Sequence, residues 1–391
     1  MLTTLKVRRS ARRARIAAVM CAGALAIAAC SGQGANGSSA GTGGNGGDDK
    51  TYNVALIRWS PDDIYFNGVQ YGEELEAKRI EKAEGVKINF TVIGENDVSA
   101  QVNGLRAQMA KGVDGVSLVP WRGEAMTNLV KQLREKNIPV VTHNAYVPDA
   151  PQTFVAFDNE RAGELAGQAI VDTLEKNRGP DWAKRGGVII ELRCIITASF
   201  DIGRHKGYHK VLDPIVRANP GLKIETREAG CDGGKARTAV DDIMSRYGKD
   251  KVLGVASIDG TMGVGGAIPA FKSAGVLFPS SDRRHIPVTT IDCTQPELDS
   301  IAKGELTHCS EQPAIAEGVI TMRLLWDMMK NGTTEPSKGA EKSSSDGQQP
   351  WQPVRVIESK DFDGAWYQTQ AFSVPGDLPP DDPKHWAVAS K

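Results

Sequence analysis

The chain has 391 residues, of which 47 are lysine or arginine and 48 are aspartate or glutamate. It is therefore long enough for two domains, and its net charge is close to zero. A neutral chain lacks the basic surface that nucleic-acid binding requires, so we expect no nucleic-acid partner.

The first 30 residues have the pattern of a secretory signal that ends at a cysteine. Basic residues cluster between Lys6 and Arg15, a short apolar segment covers 16–29, and Cys30 follows small residues in "IAAC". This ending resembles the lipobox of bacterial lipoproteins, in which the cysteine is lipidated. Residues 31–50 are rich in Gly and Ser and predict a flexible tether. We therefore predict an extracytoplasmic protein, anchored through a lipid to the outer face of the cytoplasmic membrane.

From residue 51 onward, short β-branched runs alternate with segments of helical spacing. This alternation predicts parallel sheets with helices on both faces. Ten strands fit more easily into two sheets than into one, and we place the break near residues 154–163. The predicted strands are 53–59, 86–93, 115–119, 139–143, 153–157, 187–192, 223–228, 252–257, 287–291 and 306–309.

Polar and aromatic residues follow most of these strands. The clearest case is "RWSPDDIYFNGVQYG" at 58–72, which comes directly after the first strand. In such sheets the binding crevice forms beyond the carboxyl ends of the strands. Aromatic rings stack on the C–H faces of sugars, and a buried hydroxyl without a partner costs about 1–3 kcal/mol. Carboxylates and amides with a single arginine therefore indicate a cleft for a neutral, polyhydroxylated ligand.

Several segments, in this order, resemble one known family. "NVALIRWSPDDIYFNGVQYG", "VAFDNERAG", "SIDGTMGVGGA" and "TTIDCTQPE" are similar to the ribose-type substrate-binding proteins of ABC sugar importers, the type I periplasmic binding proteins. The resemblance covers nearly all of residues 51–330. It implies an α/β fold of two similar doubly wound parallel-sheet lobes, joined by a three-stranded hinge. It also implies an ABC permease as partner, no cofactor and no enzymatic activity, and we expect a monomer.

The resemblance also guides the domain boundaries. We place the N-terminal lobe at 51–157 plus 312–350 and the C-terminal lobe with its tail at 158–311 plus 351–391. The run 354–362 predicts one further strand, which we interpret as the third hinge crossing.

The same resemblance implies a set of ligand-binding residues. Asp62 is assigned to helix capping and Asp63 to the ligand, whereas Trp121 and Arg122 fit either ligand contact or packing at a helix entry. Three departures disfavour ribose and favour another pentose, a hexose or a linear sugar alcohol: Trp59 replaces a small residue, Asn144-Ala145 replaces an Asp-Arg pair, and Cys231 replaces an aromatic residue of the second lobe. The predicted ligand-binding residues are Trp59, Asp63, Tyr65, Phe66, Asn144, Asn159, Arg204, Asp259, Asp292 and Glu311.

Four cysteines remain beyond the signal, and an even number in an exported protein favours disulfides. Cys194 and Cys231 end consecutive predicted strands, as do Cys293 and Cys309. Pairing within each set is the geometrically easiest of the three connectivities.

His205 and His209 are spaced i, i+4 and could hold a metal on a helix. The sequence places no third ligand beside them, so a solvated helix face is the favoured interpretation and no metal is predicted.

The predicted function is capture of a small neutral monosaccharide or sugar alcohol by hinge closure, followed by delivery to an ABC permease. A sensor of the same fold, signalling to a membrane partner, is the first alternative. A carbohydrate-active enzyme is the second, because Asp63 and Asp292 facing each other across a cleft would be similar to a glycosidase pair.

Overall fold

The computed structural model describes residues 50–94, 97–342 and 351–389. The predicted signal, the lipidation site Cys30 and the tether up to residue 49 lie outside the described residues. Among the described helices, none combines the length and apolarity needed to cross a membrane.

The strands confirm the alternation seen in the sequence, because each of the ten predicted strands is present with ends shifted by only a few residues. Three further strands follow near the C-terminus. In chain order the strands are β1 (Thr51–Arg58), β2 (Lys87–Gly94), β3 (Gly115–Leu118), β4 (Val140–His143), β5 (Thr153–Phe157), β6 (Gly187–Arg193), β7 (Leu222–Glu228), β8 (Val252–Ser257), β9 (Val288–Asp292), β10 (His308–Glu311), β11 (Arg355–Glu358), β12 (Ala365–Thr369) and β13 (Phe372–Val374).

Helices fill most of the connections between these strands. A π-helical turn at Gly263–Ala267 joins two of them, at Gly260–Met262 and Ile268–Ala274, into one continuous stretch. The helices are α1 (Ile64–Glu84), α2 (Val98–Lys111), α3 (Gly123–Glu135), α4 (Asn159–Arg178), α5 (Ser199–Ala218), α6 (Gly233–Tyr247), α7 (Gly260–Met262), α8 (Ile268–Ala274), α9 (Gln295–Ala302), α10 (Ala314–Asn331) and α11 (Trp386–Ala389).

The strands form two sheets, and each sheet is the centre of one lobe. The first sheet has the order β11-β12-β5-β4-β3-β1-β2 and the second has the order β13-β10-β9-β8-β6-β7. Neighbours are parallel except for β11 with β12 and β10 with β13. This confirms the predicted α/β fold of two similar parallel-sheet lobes, and the carboxyl ends of the strands in both lobes border the cleft between them.

The chain crosses between the lobes three times, and the third crossing corrects the prediction. The crossings lie between β5 and α4, between β10 and α10, and between β12 and β13. The predicted crossing strand 354–362 is instead the edge strand β11, which forms a hairpin with β12. Because β12 pairs with β5 of the first sheet, residues 355–369 belong to the first lobe and not to the second.

Two disulfides staple the second lobe, with the pairing that strand adjacency favours. Cys194 pairs with Cys231, and their Cα atoms are 4.5 Å apart; Cys293 pairs with Cys309, with Cα atoms 5.5 Å apart. Both bonds lie at the cleft end of this lobe, where Cys293 directly follows β9. They therefore fasten the loops that border the cleft.

Candidate ligand site between the lobes

The centre of the site is the guanidinium of Arg204, which is only 2% exposed. Its Nε donates to Oδ1 of Asn159 over 2.9 Å, and Nη1 donates to the carbonyl oxygen of Ile258 over 2.7 Å. Nη2 donates to Oε1 of Gln312 over 2.7 Å and lies 3.3 Å from Oδ1 of Asp292. Acceptors at the start of α4, directly after β8, at the last residue of β9 and at the second hinge crossing therefore hold one buried cation.

Close packing of α4 against α5 places this arginine. A side chain at Gly163 would collide with the carbonyl oxygen of Arg204, and one at Gly207 would collide with that of Glu160. The two glycines therefore allow the helix backbones to touch, which brings Arg204 next to the start of α4. The ring centroids of Phe157 and Phe200 lie 5.3 and 5.1 Å from the guanidinium carbon, a distance at which a ring face attracts a cation.

Asp292 and Asp259 both feel the charge of the guanidinium, and burial raises the pKa of each of them and that of Asp63. The pKa of Asp292 lies well above its usual range because burial outweighs the opposing charge of Arg204. Burial raises the pKa of Asp259 to about 6. The hydrogen bond from the backbone N–H of Met262 and the positive charge of Arg204 both oppose this rise. The pKa of Asp63 is also raised by burial, against hydrogen bonds from the backbone of α1. A buried carboxyl group has lost its hydrogen bonds to water, so a hydrogen bond from a ligand hydroxyl would stabilise it.

The backbone at Asp292 adds a second indication of function. Its φ of 122° lies in the region that favours glycine, and the next residue, Cys293, also has a positive φ of 55°. Strained backbone of this kind persists where the surrounding structure enforces it, and it concentrates at functional sites. The strain here coincides with the acid nearest to Arg204.

Aromatic rings from both lobes form one wall of the cleft. The ring centroid of Trp59 lies 5.5 Å from Phe66, 4.9 Å from Trp121 and 5.5 Å from Phe200 of the second lobe. The indole Nε1 of Trp59 donates to the carbonyl oxygen of Pro120 over 3.0 Å. Its polar atom is thereby satisfied within the protein, so Trp59 can offer only apolar surface to a ligand.

The stretch after β1 differs from the prediction in its capping residue. α1 begins at Ile64, and Oδ1 of Asp63 accepts from the backbone N–H of Phe66 over 3.1 Å. Asp63 is therefore the N-cap, whereas Asp62, to which capping was assigned, is exposed. The N-cap is the residue directly before the first helical residue, and the helix starts one residue later than the assignment to Asp62 required.

A hydrogen-bonded network at the hinge connects the first-lobe aromatics to the arginine. The hydroxyl of Tyr65 donates to Glu317 and accepts from Nε2 of Gln312 over 2.6 Å. The same Nε2 lies 3.4 Å from Oδ1 of Asn144, and Oγ1 of Thr369 donates to Glu317 over 3.3 Å. Burial raises the pKa of Glu317 to about 7, against the three hydrogen bonds that it accepts.

Sequence reasoning did not identify Gln312 and Glu317, although both leave a signal. Gln312 directly follows the predicted contact Glu311, and successive residues of an extended chain point to opposite sides. Glu317 is the only acid in the apolar run "AIAEGVITMRLLW" at 314–326. A lone acid on a helix that is buried all round requires partners inside the protein.

The structure does not bring Glu311 to the arginine but places it against the C-terminal tail. Its carboxylate accepts from Nδ1 of His385 and from the backbone N–H of Trp386, the latter over 3.3 Å. Burial lowers the pKa of His385, but the hydrogen bond and charge of Glu311 raise it to a value above the usual one. We therefore reassign Glu311 from ligand contact to holding the tail.

The tail packs between the lobes through Trp386. Its Nε1 donates to the carbonyl oxygen of Asp292 over 3.0 Å, and its ring meets Tyr65 edge-on at 6.3 Å between centroids. A Cβ at Gly68 of α1 would lie 2.8 Å from the indole, so only glycine leaves room for it. The tail thus closes one side of the site and contacts both lobes.

Two cavities open at the outer edge of the lobe junction. One of about 610 Å³ is lined by Tyr146, Trp366 and charged side chains of α4 and α5. The structure describes all ten predicted ligand-binding residues, and of these only Asn159 lines this cavity. A smaller one of about 100 Å³ is bordered by Trp121 and Arg122. Trp121 therefore packs on Trp59 and also lines the rim.

Comparison with known proteins agrees with this geometry. The family described as "Periplasmic binding protein domain" matches residues 54–334. The ribose import binding protein of Bacillus subtilis is 26% identical over 230 residues, which cover 59% of this chain and 68% of that protein. The xylitol-binding protein of Mycolicibacterium smegmatis is 26% identical over 225 residues, which cover 57% of this chain and 58% of the relative.

The fold has solved counterparts as well. An ABC transporter solute-binding protein from Agrobacterium vitis, with bound D-fucose, superposes with a TM-score of 0.65 at 19% identity, over 86% of this chain and 99% of that one. At this identity the likeness concerns the fold alone, which is that of the type I periplasmic binding proteins. Because the family match spans well over half of the sequence, the chain belongs to the periplasmic binding protein domain family.

Proposed function

We propose that this protein captures a small neutral monosaccharide or sugar alcohol between its lobes and delivers it to an ABC permease. The observation that carries the proposal is the buried Arg204, which is held by Asp292 and two amides and flanked by aromatic rings where the lobes meet. Because the family is one of binding proteins, Asp63 and Asp292 are assigned to ligand recognition and not to hydrolysis.

The charge balance of the site favours a neutral ligand. The Arg204 guanidinium already faces Asp292 and feels the charge of Asp259, so it offers an anionic ligand no unmatched positive charge. A hydroxyl both donates and accepts, and it can therefore pair with a carboxylate on one side and with an amide or guanidinium on the other. The walls formed by Trp59 and Phe66 suit the C–H face of a sugar or polyol.

The named relatives support the same ligand class. One is a ribose import binding protein, another is a xylitol-binding protein, and the fold counterpart holds D-fucose. All three compounds are neutral and carry several hydroxyls. The bulk of Trp59 narrows the cleft, which favours a ligand other than ribose, with a linear sugar alcohol among the candidates.

The first prediction concerns the ligand and the site together. A matching sugar or polyol should raise the melting temperature of the 49–391 unit, which is compact by itself, because the ligand binds only the folded state. Asp63→Asn should weaken binding about 10- to 100-fold, since a hydrogen bond to a charged group contributes about 1.5–3 kcal/mol. Asparagine caps helices as well as aspartate does, so α1 should persist.

Asp62→Asn is the matched control, because this neighbour is exposed and should leave the affinity unchanged. A thermal-shift screen of pentoses, hexoses, their alcohols and amino acids, followed by calorimetry on both variants, measures these effects. A shift with an amino acid and none with any carbohydrate would contradict the proposal.

The second prediction is a pH dependence that comes from Glu317. Its pKa is about 7 in the folded protein against an ordinary value of 4.5, so the folded state binds the proton more tightly. The free energy of unfolding should therefore fall as the pH rises from about 4.5 to about 7, by up to about 1.4 kcal/mol per pH unit from this group.

Glu317→Gln should remove this contribution, so that the stability of the variant relative to the parent rises with pH. Urea unfolding at several pH values between 5 and 8 measures the difference. Glu164→Gln serves as the control, because that carboxyl is ion-paired near the surface and its pKa is lowered. An identical slope for Glu317→Gln and the parent protein would refute a raised pKa at Glu317.

We also propose that the protein is exported and held at the membrane through lipid on Cys30, as a monomer on the Gly/Ser tether. Cys30→Ser should then release the protein from the membrane fraction into the medium or periplasm, and should abolish labelling by a radioactive fatty acid. Unchanged membrane association and labelling of this variant would exclude Cys30 as the lipidated residue.

A further inference from the structure

A second polar cluster lies in the second lobe, outside the ligand site. It consists of Glu191 on β6 with His205 and His209 on α5, and one ligand atom of each lies within 4.8 Å of the others. Nδ1 of His205 is 2.7 Å from Oε1 of Glu191, and Nε2 of His209 is 3.3 Å from Oε2. The centroids of the two imidazole rings are 4.1 Å apart, and the ring planes are inclined by 50°.

The fold supplies what the sequence alone does not. The i, i+4 spacing puts the two histidines on one face of α5, and that face lies over β6. Glu191 points from the sheet toward them and is only 1% exposed. Glu191 belongs to a different element from the two histidines, and it completes a set of two imidazoles and one carboxylate.

We propose that Glu191, His205 and His209 form a binding site for a divalent transition-metal ion, with Zn²⁺ as the expected occupant. In a tetrahedral zinc site with bonds of about 2.0–2.1 Å, ligand atoms are separated by about 3.3 Å. The two histidines approach different oxygens of Glu191, over 2.7 and 3.3 Å, and one ligand atom of each residue lies within 4.8 Å of the others, so side-chain rotation alone could gather the three around an ion. Imidazole and carboxylate together suit zinc and its neighbours better than calcium or magnesium.

Hydrogen bonds from neighbouring side chains orient His209 and Glu191, as is usual for metal ligands in proteins. Oδ1 of Asp213 lies 2.8 Å from Nδ1 of His209, an arrangement that directs Nε2 of this ring toward Glu191. Oγ1 of Thr226, on the neighbouring strand β7, donates to Oε2 of Glu191 over 2.8 Å. A carboxylate behind a ligating histidine fixes the orientation of its ring and makes it more basic.

The site is accessible to an ion from solution. The side chains of His205 and His209 are 31% and 25% exposed, and they border a surface cavity of about 450 Å³. Solvent in this cavity can supply the fourth ligand. Lys206 and Lys210 also line the cavity, but the ammonium of Lys210 is engaged by Glu160 and Glu164, which reduces its repulsion of a dication.

The test uses the 49–391 unit without a histidine tag, freed of metal by a chelator. Titration with ZnCl₂ in a calorimeter should show one equivalent bound, and CoCl₂ should give the visible absorption of a four-coordinate site. His205→Gln and His209→Gln should each abolish stoichiometric binding, and Asp213→Asn should weaken it about 10- to 100-fold. Lys206→Gln, on the same helix, is the matched control and should leave stoichiometry and spectrum intact.

Circular dichroism of each variant establishes that it is folded, so a lost signal reports the site and not the fold. No zinc binding by the parent protein would overturn the proposal and leave the cluster as a hydrogen-bonded network. Binding that survives both histidine substitutions would also overturn it, because the metal would then lie elsewhere. Binding of Ca²⁺ or Mg²⁺ in place of Zn²⁺ would contradict the assigned metal class.

Discussion

Burial of the Arg204 guanidinium is the constraint on which the rest of the site depends. An ionised group removed from water is costly unless charges and hydrogen bonds compensate it. The compensation comes from elements far apart in sequence: Asn159 at the start of α4, Ile258 after β8, Asp292 at the end of β9 and Gln312 at a hinge crossing. These elements must converge for the cation to be accommodated, so Arg204 links the fold of the second lobe to the hinge.

The hinge carries this constraint into the first lobe. Gln312 holds the arginine with its oxygen and Tyr65 with its nitrogen, and Glu317 accepts from both Tyr65 and Gln312. A change in the angle between the lobes would therefore alter contacts on both sides of Gln312. Trp386 adds a further link, since it contacts Tyr65 of one lobe and the backbone of Asp292 of the other. The closure on a ligand that we propose would therefore move packed, hydrogen-bonded elements about the three crossings.

Much of this could be predicted from sequence because strand and helix periodicities are local. The first ten of the thirteen described strands follow from β-branched runs, and the site lies at strand ends as parallel sheets require. The strand β11 was predicted from the run 354–362, but its place in a hairpin at the edge of the first sheet was not, because β5, which pairs with β12, is about 200 residues away along the chain.

Within the two polar sites, the sequence-based predictions failed in two ways. They chose the neighbouring residue, or they missed a partner that is distant along the chain. Glu311 and Gln312 point to opposite sides, and only the pairing of β10 decides which of them meets the arginine. Asp62 and Asp63 differ by one position at the start of a helix, where sequence signals are least exact. The histidine pair of α5 was visible, but its third partner belongs to a strand that packs against the helix only in the folded protein.

The most direct test of the account is a crystal structure of the 49–391 unit with the sugar or polyol that stabilises it most. We expect the ligand between the lobes, with its hydroxyls paired to Asp63, Asp292 and Arg204 and its C–H face against the rings of Trp59 and Phe66. A ligand bound instead in the outer cavity beside Tyr146 and Trp366, with the arginine site unchanged, would contradict the central claim.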